Sequence, residues 1–194
     1  MKKTLMVMAL AGALAAPAAA QATKTPKAQQ PTATTGTSVA ATDRAFAREA
    51  ALGSMAEVDL GNLAKEKASS PEVKQFAERM VTDHSKANEE LKDWAEKNHV
   101  TLPAQLDAKH KATRARLEKL SGAAFDKAYM RDMLSDHKTD VAKFKTESKS
   151  AKNADLKDWA GKTLPTLEDH LKQAQDTASK VGVSTMARKG TPKK

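Results

Sequence analysis

The 194-residue sequence contains no cysteine and no isoleucine, and its aromatic residues are four phenylalanines, two tryptophans and one tyrosine. Disulfide bonds and a lipid-modified N-terminal cysteine are therefore excluded, while an oxidising compartment is tolerated. Alanine, lysine, glutamate, aspartate and leucine dominate instead, in a pattern that recurs every three to four residues. This composition predicts an all-α protein. No serine lies in a recognisable nucleophile motif, so nucleophilic catalysis has little support.

Long apolar runs are also missing, because the apolar run near the start is too short to span a bilayer and no later segment approaches the ~20 apolar residues required. The longest run, from Leu5 to Ala15, follows two lysines and precedes small residues at positions 18 to 22. This order predicts a cleaved secretory signal peptide over residues 1–22, with cleavage after Ala20 or after Ala22. We therefore expect an exported protein with no transmembrane span.

Acidic residues are missing from both ends of the chain. Eight basic residues lie in segments 1–41 and 181–194, and subtracting them from the net charge of +9 leaves about +1 for the body. The body is thus not a surface for nucleic acid. We predict a disordered linker over residues 23–41, one folded domain over 42–180 and a disordered basic tail over 181–194. The tail could contact anionic envelope components or act only as a solubilising end, and no feature sets the oligomeric state.

Four long helices are predicted over residues 42–68, 71–98, 122–149 and 153–179. Their expected N-caps are Thr42 or Asp43, Ser70 followed by Pro71, and Asn153. Between the second and third lies a connection with a short polar helix capped by Asp107, which could span ~22 Å at ~1.5 Å per residue. A connection of that length suits a four-helix bundle whose second and third long helices run parallel.

An Asp-His pair occurs three times, and each histidine falls on the apolar stripe of a predicted long helix. Two of the pairs also have a methionine four residues before the histidine. On the first helix, Phe46, Glu49, Gly53 and Glu57 fall on one inner line. Glu57 and the three histidines lie within about one turn of their helix midpoints, as in bundle metal sites. The candidate metal ligands are Glu57, His84, His137 and His170, with Met80 and Met133 as weaker candidates.

The residue types narrow the choice of metal without fixing it. A carboxylate-bridged di-iron centre needs a glutamate three positions before a histidine on each of two helices. Those positions hold Val81, Leu134 and Leu167, so we expect no rapid oxidation of ferrous iron. Imidazoles suit zinc, copper, iron or nickel, and thioethers favour cuprous copper. Three histidines with Glu57 would suit zinc equally well.

Two other interpretations use the same residues. In the first, the histidines form a buried polar layer, hydrogen-bonded to Glu57, Tyr129 or an aspartate, which fixes helix register in a structural or interaction module. In the second, the site serves a small oxidoreductase. Asp83, Asp136 and Asp169 project about 100° away from their histidines, so each could accept a ring N–H from a neighbouring helix or lie at the surface.

Several segments resemble the bacterial domain-of-unknown-function family DUF4142, over about residues 42 to 177. The resemblance implies a ferritin-like four-helix bundle exported to the periplasm or outer membrane, with no established activity. The family's histidines correspond to His84, His137 and His170, and we hypothesise metal binding or a role in envelope stress. The resemblance rests on Ala56-Glu57-Val58-Asp59-Leu60-Gly61, Ser70-Pro71-Glu72-Val73, Met80-Val81-Thr82-Asp83-His84, Leu102-Pro103, Phe125-Asp126-Lys127-Ala128-Tyr129, and Thr163-Leu164-Pro165-Thr166-Leu167 followed by His170.

Overall fold

A computed structural model describes residues 38–184, and this part of the chain contains five helices and no strand. The all-α prediction is therefore confirmed. None of the helices in this range is long and apolar enough to cross a membrane. The predicted signal peptide, and most of the predicted linker and basic tail, lie outside the described residues. The helices are α1 (Ala41–Lys67), α2 (Pro71–Lys97), α3 (Ala108–Glu118), α4 (Gly122–Ser150) and α5 (Ala154–Lys180).

Three of the helices begin where local capping chemistry predicts. The Ser70 hydroxyl accepts from the backbone N–H of Val73, with Pro71 at the first helical position of α2. The carboxylate of Asp107 caps α3, and the side-chain oxygen of Asn153 caps α5. A side chain that satisfies a free N–H at a helix start typically contributes about 1 kcal/mol. The prediction for α1 is wrong, since that helix begins at Ala41 with no side-chain cap.

The long helices pack as two pairs, with α1 along α2 and α4 along α5, and the pairs meet through contacts of α2 with α5 and of α1 with α4. Three residues separate the helices within each pair, which forces each pair to be antiparallel. Segment 98–121, which includes α3, connects the pairs. Pro165 lies inside α5, and the helix continues through it.

Each helix pair has a buried aspartate near the start of its first helix, and this aspartate bonds the backbone of the turn in the other pair. Near the start of α4, the Asp126 carboxylate accepts from the backbone N–H groups of Ser69 and Ser70, at 3.0 and 2.9 Å. In the first turn of α1, the Asp43 carboxylate accepts from those of Lys152 and Asn153, at 3.0 and 2.7 Å. The starts of α2 and α4 therefore lie at the same end, and these two helices run in the same direction.

The apolar side chains form two clusters along the helices. One cluster includes Leu60, Phe76 and Phe125, and the other includes Phe46, Leu91 and Trp159. Between them, in chain order on each helix, come the buried polar residues Glu57, His84, His137 and His170. Val39 and Val183 are also buried, so the packed part of the chain extends a few residues beyond the predicted bounds at both ends.

Candidate metal centre

Three histidines from three helices meet in the middle of the fold. His84 on α2, His137 on α4 and His170 on α5 are all buried, with at most 4% of each residue exposed. Their ring centroids are separated by 5.7, 5.4 and 5.4 Å, which is close to an equilateral triangle. Each ring offers one nitrogen such that the three nitrogens lie within 4.8 Å of one another. The predicted convergence of these residues is therefore observed.

One nitrogen of each ring is held by a neighbouring group. The Nδ1–H of His137 donates to the backbone carbonyl of Met133, one turn earlier on α4, at 2.9 Å. The Nε2–H of His170 donates to the Asp83 carboxylate on α2 at 2.8 Å, and Nδ1 of His84 lies 3.4 Å from the Ser54 hydroxyl on α1. Such contacts orient the rings and determine which nitrogen carries the proton.

The second nitrogen of each ring has no hydrogen-bond partner within residues 38–184. These atoms are Nε2 of His84, Nε2 of His137 and Nδ1 of His170, and all three are buried. A buried polar atom without a partner costs about 1–3 kcal/mol, so three in one place require an explanation. Because the opposite nitrogens of His137 and His170 carry protons, their free nitrogens present lone pairs.

Burial keeps the three rings neutral. It lowers the pKa of His84 well below its ordinary value of 6.5, and the neighbouring His137 and His170 lower it further. Burial also lowers the pKa of His137 to about 4, against the opposing effect of the Met133 carbonyl. The pKa of His170 is lowered for the same reason, although Asp83 opposes the shift. At neutral pH all three histidines can therefore act as ligands without first losing a proton.

Asp83 belongs to a charged chain that reaches the surface. Its carboxylate accepts from Nε of Arg79 at 3.2 Å, and Nη2 of the same arginine donates to Asp169 at 2.7 Å. Of the three aspartates that precede the histidines, Asp83 therefore bonds a ring of another helix, whereas Asp169 pairs with an arginine. Asp136 makes no hydrogen bond to a histidine ring in residues 38–184 and lines a groove between α1 and α4.

Glu57 lies beside the three histidines rather than among them. In residues 38–184 the group of converging ligand atoms comprises the histidines and does not include Glu57. The Oε1 atom of Glu57 is 3.7 Å from Nδ1 of His137, on the side of the ring that faces Met133. Its Oε2 atom has no hydrogen-bond partner in the described part of the chain. Burial raises the pKa of Glu57 well above 4.5, with Asp140 adding to the effect. Met80 and Met133 are fully buried in the first apolar cluster.

A cavity of about 30 Å³ adjoins His84 and His170. A space of this size holds one or two water-sized groups, and its polar lining includes Ser54, Asp83 and Asp140. Pattern reasoning did not identify Ser54 or Arg79 as part of the site. The spacing of both residues could have indicated them. Ser54 lies three residues before Glu57 on the same face of α1, and Arg79 lies four residues before Asp83 on α2.

Comparisons with known proteins identify a family and a shared fold. The model of the family described as "Domain of unknown function (DUF4142)" matches residues 13–177. No curated protein matches the sequence significantly.

Among solved structures, three described as CopM in Ag-bound, Cu(I)-bound and Cu(II)-bound forms share the fold. Their TM-scores are 0.59, 0.60 and 0.61, with sequence identities of 19%, 18% and 18%. Each alignment covers 71% of this chain and 96% of the CopM chain. At this level of identity the likeness establishes the fold alone.

Proposed function

This chain belongs to the DUF4142 family, and we propose that it is a metal-binding protein that holds one transition-metal ion between His84, His137 and His170. Two observations carry the proposal. One nitrogen of each ring lies within 4.8 Å of one nitrogen of the other two, and each ring has a buried nitrogen with no hydrogen-bond partner among residues 38–184. Their opposite nitrogens are held by a carbonyl, a carboxylate and a hydroxyl. Histidines that bind metals usually have this arrangement, because the outer hydrogen bond aims the inner lone pair.

The alternative of a polar layer that only fixes helix register is less well supported. That layer should pair both nitrogens of each ring, yet Glu57 is 3.7 Å from His137 and the Tyr129 hydroxyl has no hydrogen-bond partner in the described part of the chain. A distance of 3.7 Å exceeds that of a hydrogen bond. A metal ion would satisfy all three free nitrogens at once.

Cuprous copper fits the site better than zinc because of charge. The three rings are neutral, and the nearest ionised group bonded to them is Asp83, behind His170. Asp83 is paired with Arg79, which also binds Asp169, so these three groups together carry a net charge of −1. A monovalent ion would therefore be balanced by this group, whereas a divalent ion would leave one buried positive charge uncompensated. Imidazole also suits copper. The fold shared with CopM, whose structures contain silver or copper ions, supports this choice.

The wider setting is part of the same proposal. We take the four long helices to form a ferritin-like bundle in which segment 98–121 is the long crossover connection. The predicted signal peptide over residues 1–22 would direct the chain to the periplasm or the outer membrane. Glu57 is assigned no metal bond, because its carboxylate faces the protonated nitrogen of His137 rather than the free one.

Thermal melting of chelator-treated protein, with and without added metal, tests the proposal. Anaerobic cuprous copper at 100 times its dissociation constant should stabilise the parent by ~2.7 kcal/mol. His84→Ala and His137→Ala should each lose most of this stabilisation, and the double variant should lose little more, because ligands of one ion act together. His99→Asn is the matched control, since His99 is exposed and Asn tolerates its left-handed backbone, with φ 54°.

Two results would contradict the proposal. The first is a parent protein whose melting temperature does not change with cuprous copper or zinc. The second is a shift that the two histidine variants retain in full, which would place the ion elsewhere. A larger shift with zinc than with copper would preserve the site and correct the choice of metal.

A further inference from the structure

A groove between α1 and α4, closed at one end by the start of α3, carries an excess of acidic side chains. It also contains Glu57, which is 3% exposed and whose Oε2 atom has no hydrogen-bond partner among the residues that the structure describes. A buried, unpartnered carboxyl group at the inner end of an acidic groove is suited to meeting a cation. The acidic lining residues are Glu49, Glu57, Asp107, Asp136 and Asp140, and the basic ones are Lys109, Lys143 and His110.

The groove and the cavity beside the histidines are separated by very little protein. Gly53 and Asp140 line both of them. A Cβ placed on Gly53 would lie 4.0 Å from Oδ2 of Asp140, so the two residues face each other across the boundary. The boundary is thus formed by one residue without a side chain and one carboxylate.

A second groove, between α2 and α5, reaches the same cavity and is the competing route. It shares Asp83, Ala87, Thr163 and Thr166 with the cavity lining. Its charged residues include Arg79, Lys86 and Lys162 but only two acids, and Arg79 is bonded to Asp83 at the point nearest His170. A cation would be attracted more strongly at the α1–α4 groove, whose lining carries the excess of acids, because charged clefts focus the local field.

We infer that the α1–α4 groove is the loading path by which a small metal cation reaches the three histidines, passing between Gly53 and Asp140. This inference rests on the proposed function. In this inference the acidic side chains of the groove increase the rate of metal uptake, whereas the histidines determine the affinity. The ligand class is a hydrated or weakly liganded transition-metal cation rather than a metal held by a large anionic carrier.

The test measures the rate of loading separately from affinity. Metal-free protein is mixed anaerobically with the cationic acetonitrile complex of cuprous copper. At a series of times, excess bicinchoninate is added to bind the copper that the protein has not taken up, and the coloured complex is measured by its absorbance. Gly53→Leu should fill the passage and slow loading ~10-fold or more, with less than a twofold change in the equilibrium dissociation constant. Ala87→Leu, which fills the opening on the α2–α5 side, is the matched control and should load at the parent rate.

A second variant keeps the inference testable if Gly53→Leu does not fold. The double substitution of Asp136→Asn with Asp140→Asn removes charge without adding volume, and it should slow loading about threefold or more at low salt. The difference should disappear near 1 M salt, where the screening length is about 3 Å.

The outcomes distinguish the two proposals. Parent-like rates for both groove variants, with copper still bound at equilibrium, would overturn the loading path and leave the histidine site standing. Slow loading in Ala87→Leu instead would assign the path to the α2–α5 groove. A parent protein that takes up no copper would overturn both proposals together.

Discussion

At the scale of single residues, Asp83 orients one of the three histidines and connects it to a surface arginine. It accepts the ring N–H of buried His170 and is itself held by Arg79, while 29% of its side chain reaches solvent. The carboxylate therefore fixes the His170 tautomer and places one negative charge close to the proposed ion. Neither role is available to Asp169, whose side chain is 51% exposed and contacts the same arginine.

Asp83→Asn should weaken cuprous copper binding about 10-fold or more, because groups that orient a metal-binding histidine typically contribute 10–100-fold to affinity. The dissociation constant can be measured by competition with bicinchoninate. Asp169→Asn removes the other partner of Arg79 and should change the affinity less than twofold. Equal losses in the two variants would show that the surface ion pair matters and the contact with His170 does not.

At the scale of helices, α1 and α2 approach each other closely at Gly61. A Cβ on this residue would lie 2.8 Å from Cγ2 of Val81 and 3.1 Å from the backbone oxygen of Ala77. The glycine thus allows α1 to approach the backbone of α2 one turn before His84. By contrast, a Cβ on Gly161 of α5 would lie 3.8 Å from the Cβ of Ser148, which is an ordinary contact.

These two glycines give a matched pair of substitutions. Gly61→Ala should lower the free energy of unfolding by about 1–3 kcal/mol, since overpacking forces the helices apart. Gly161→Ala should raise it by up to about 1 kcal/mol, because alanine is the better helix former at an exposed position. Urea unfolding monitored by circular dichroism measures both. Two changes of the same sign would contradict the assigned close approach.

Features that depend on neighbouring residues were predictable from the sequence. The caps at Ser70, Asp107 and Asn153 involve groups three residues apart, and the inward histidines follow from helical periodicity. Glu49 shows where periodicity becomes unreliable, since it was placed on the inner line and is instead exposed and paired with Lys143 at 2.9 Å. A residue at the edge of an apolar stripe can point into the core or toward solvent. Here the ion pair with a lysine on another helix favours the exposed position.

Features that depend on distant partners were not predictable. Asp43 looked like a helix cap, but its carboxylate bonds the backbone at Lys152 and Asn153, more than 100 residues away. The presence of three histidines in one layer follows from the sequence, whereas the choice of free nitrogen depends on ring rotation. That rotation is set by Ser54, Asp83 and the Met133 carbonyl, two of which belong to other helices.

At the scale of the whole molecule, the polar layer couples stability to pH. His137 has a folded-state pKa of about 4, below its ordinary value of 6.5. Between these values the unfolded chain binds a proton that the metal-free folded protein excludes, so this residue lowers stability progressively as pH falls from 6.5 to 4. Asp140 acts in the opposite direction, because burial raises its pKa to about 6 and it favours the folded state on acidification over a similar range.

His137→Leu should therefore make the metal-free protein less sensitive to acid. The free energy of unfolding of the parent, relative to this variant, should fall by up to roughly 3 kcal/mol between pH 6.5 and pH 4. Urea unfolding at intervals of half a pH unit gives the difference, and comparing the two proteins removes the effect of Asp140. A difference that stays constant over this range would mean that His137 is protonated in the folded protein.

The parallel directions of α2 and α4 determine where the two ends of the folded domain emerge. Val39 packs in the cluster that contains Trp94, at the end of α2, whereas Val183 packs in the cluster that contains Val73, at its start. The two ends are thus separated by about the length of α5, which is ~40 Å for its 27 residues. If the domain were attached through the segment before Val39, the end that carries Val183 would be the one farthest from the attachment point. A donor and an acceptor dye at these ends would report on unfolding without disturbing the histidines.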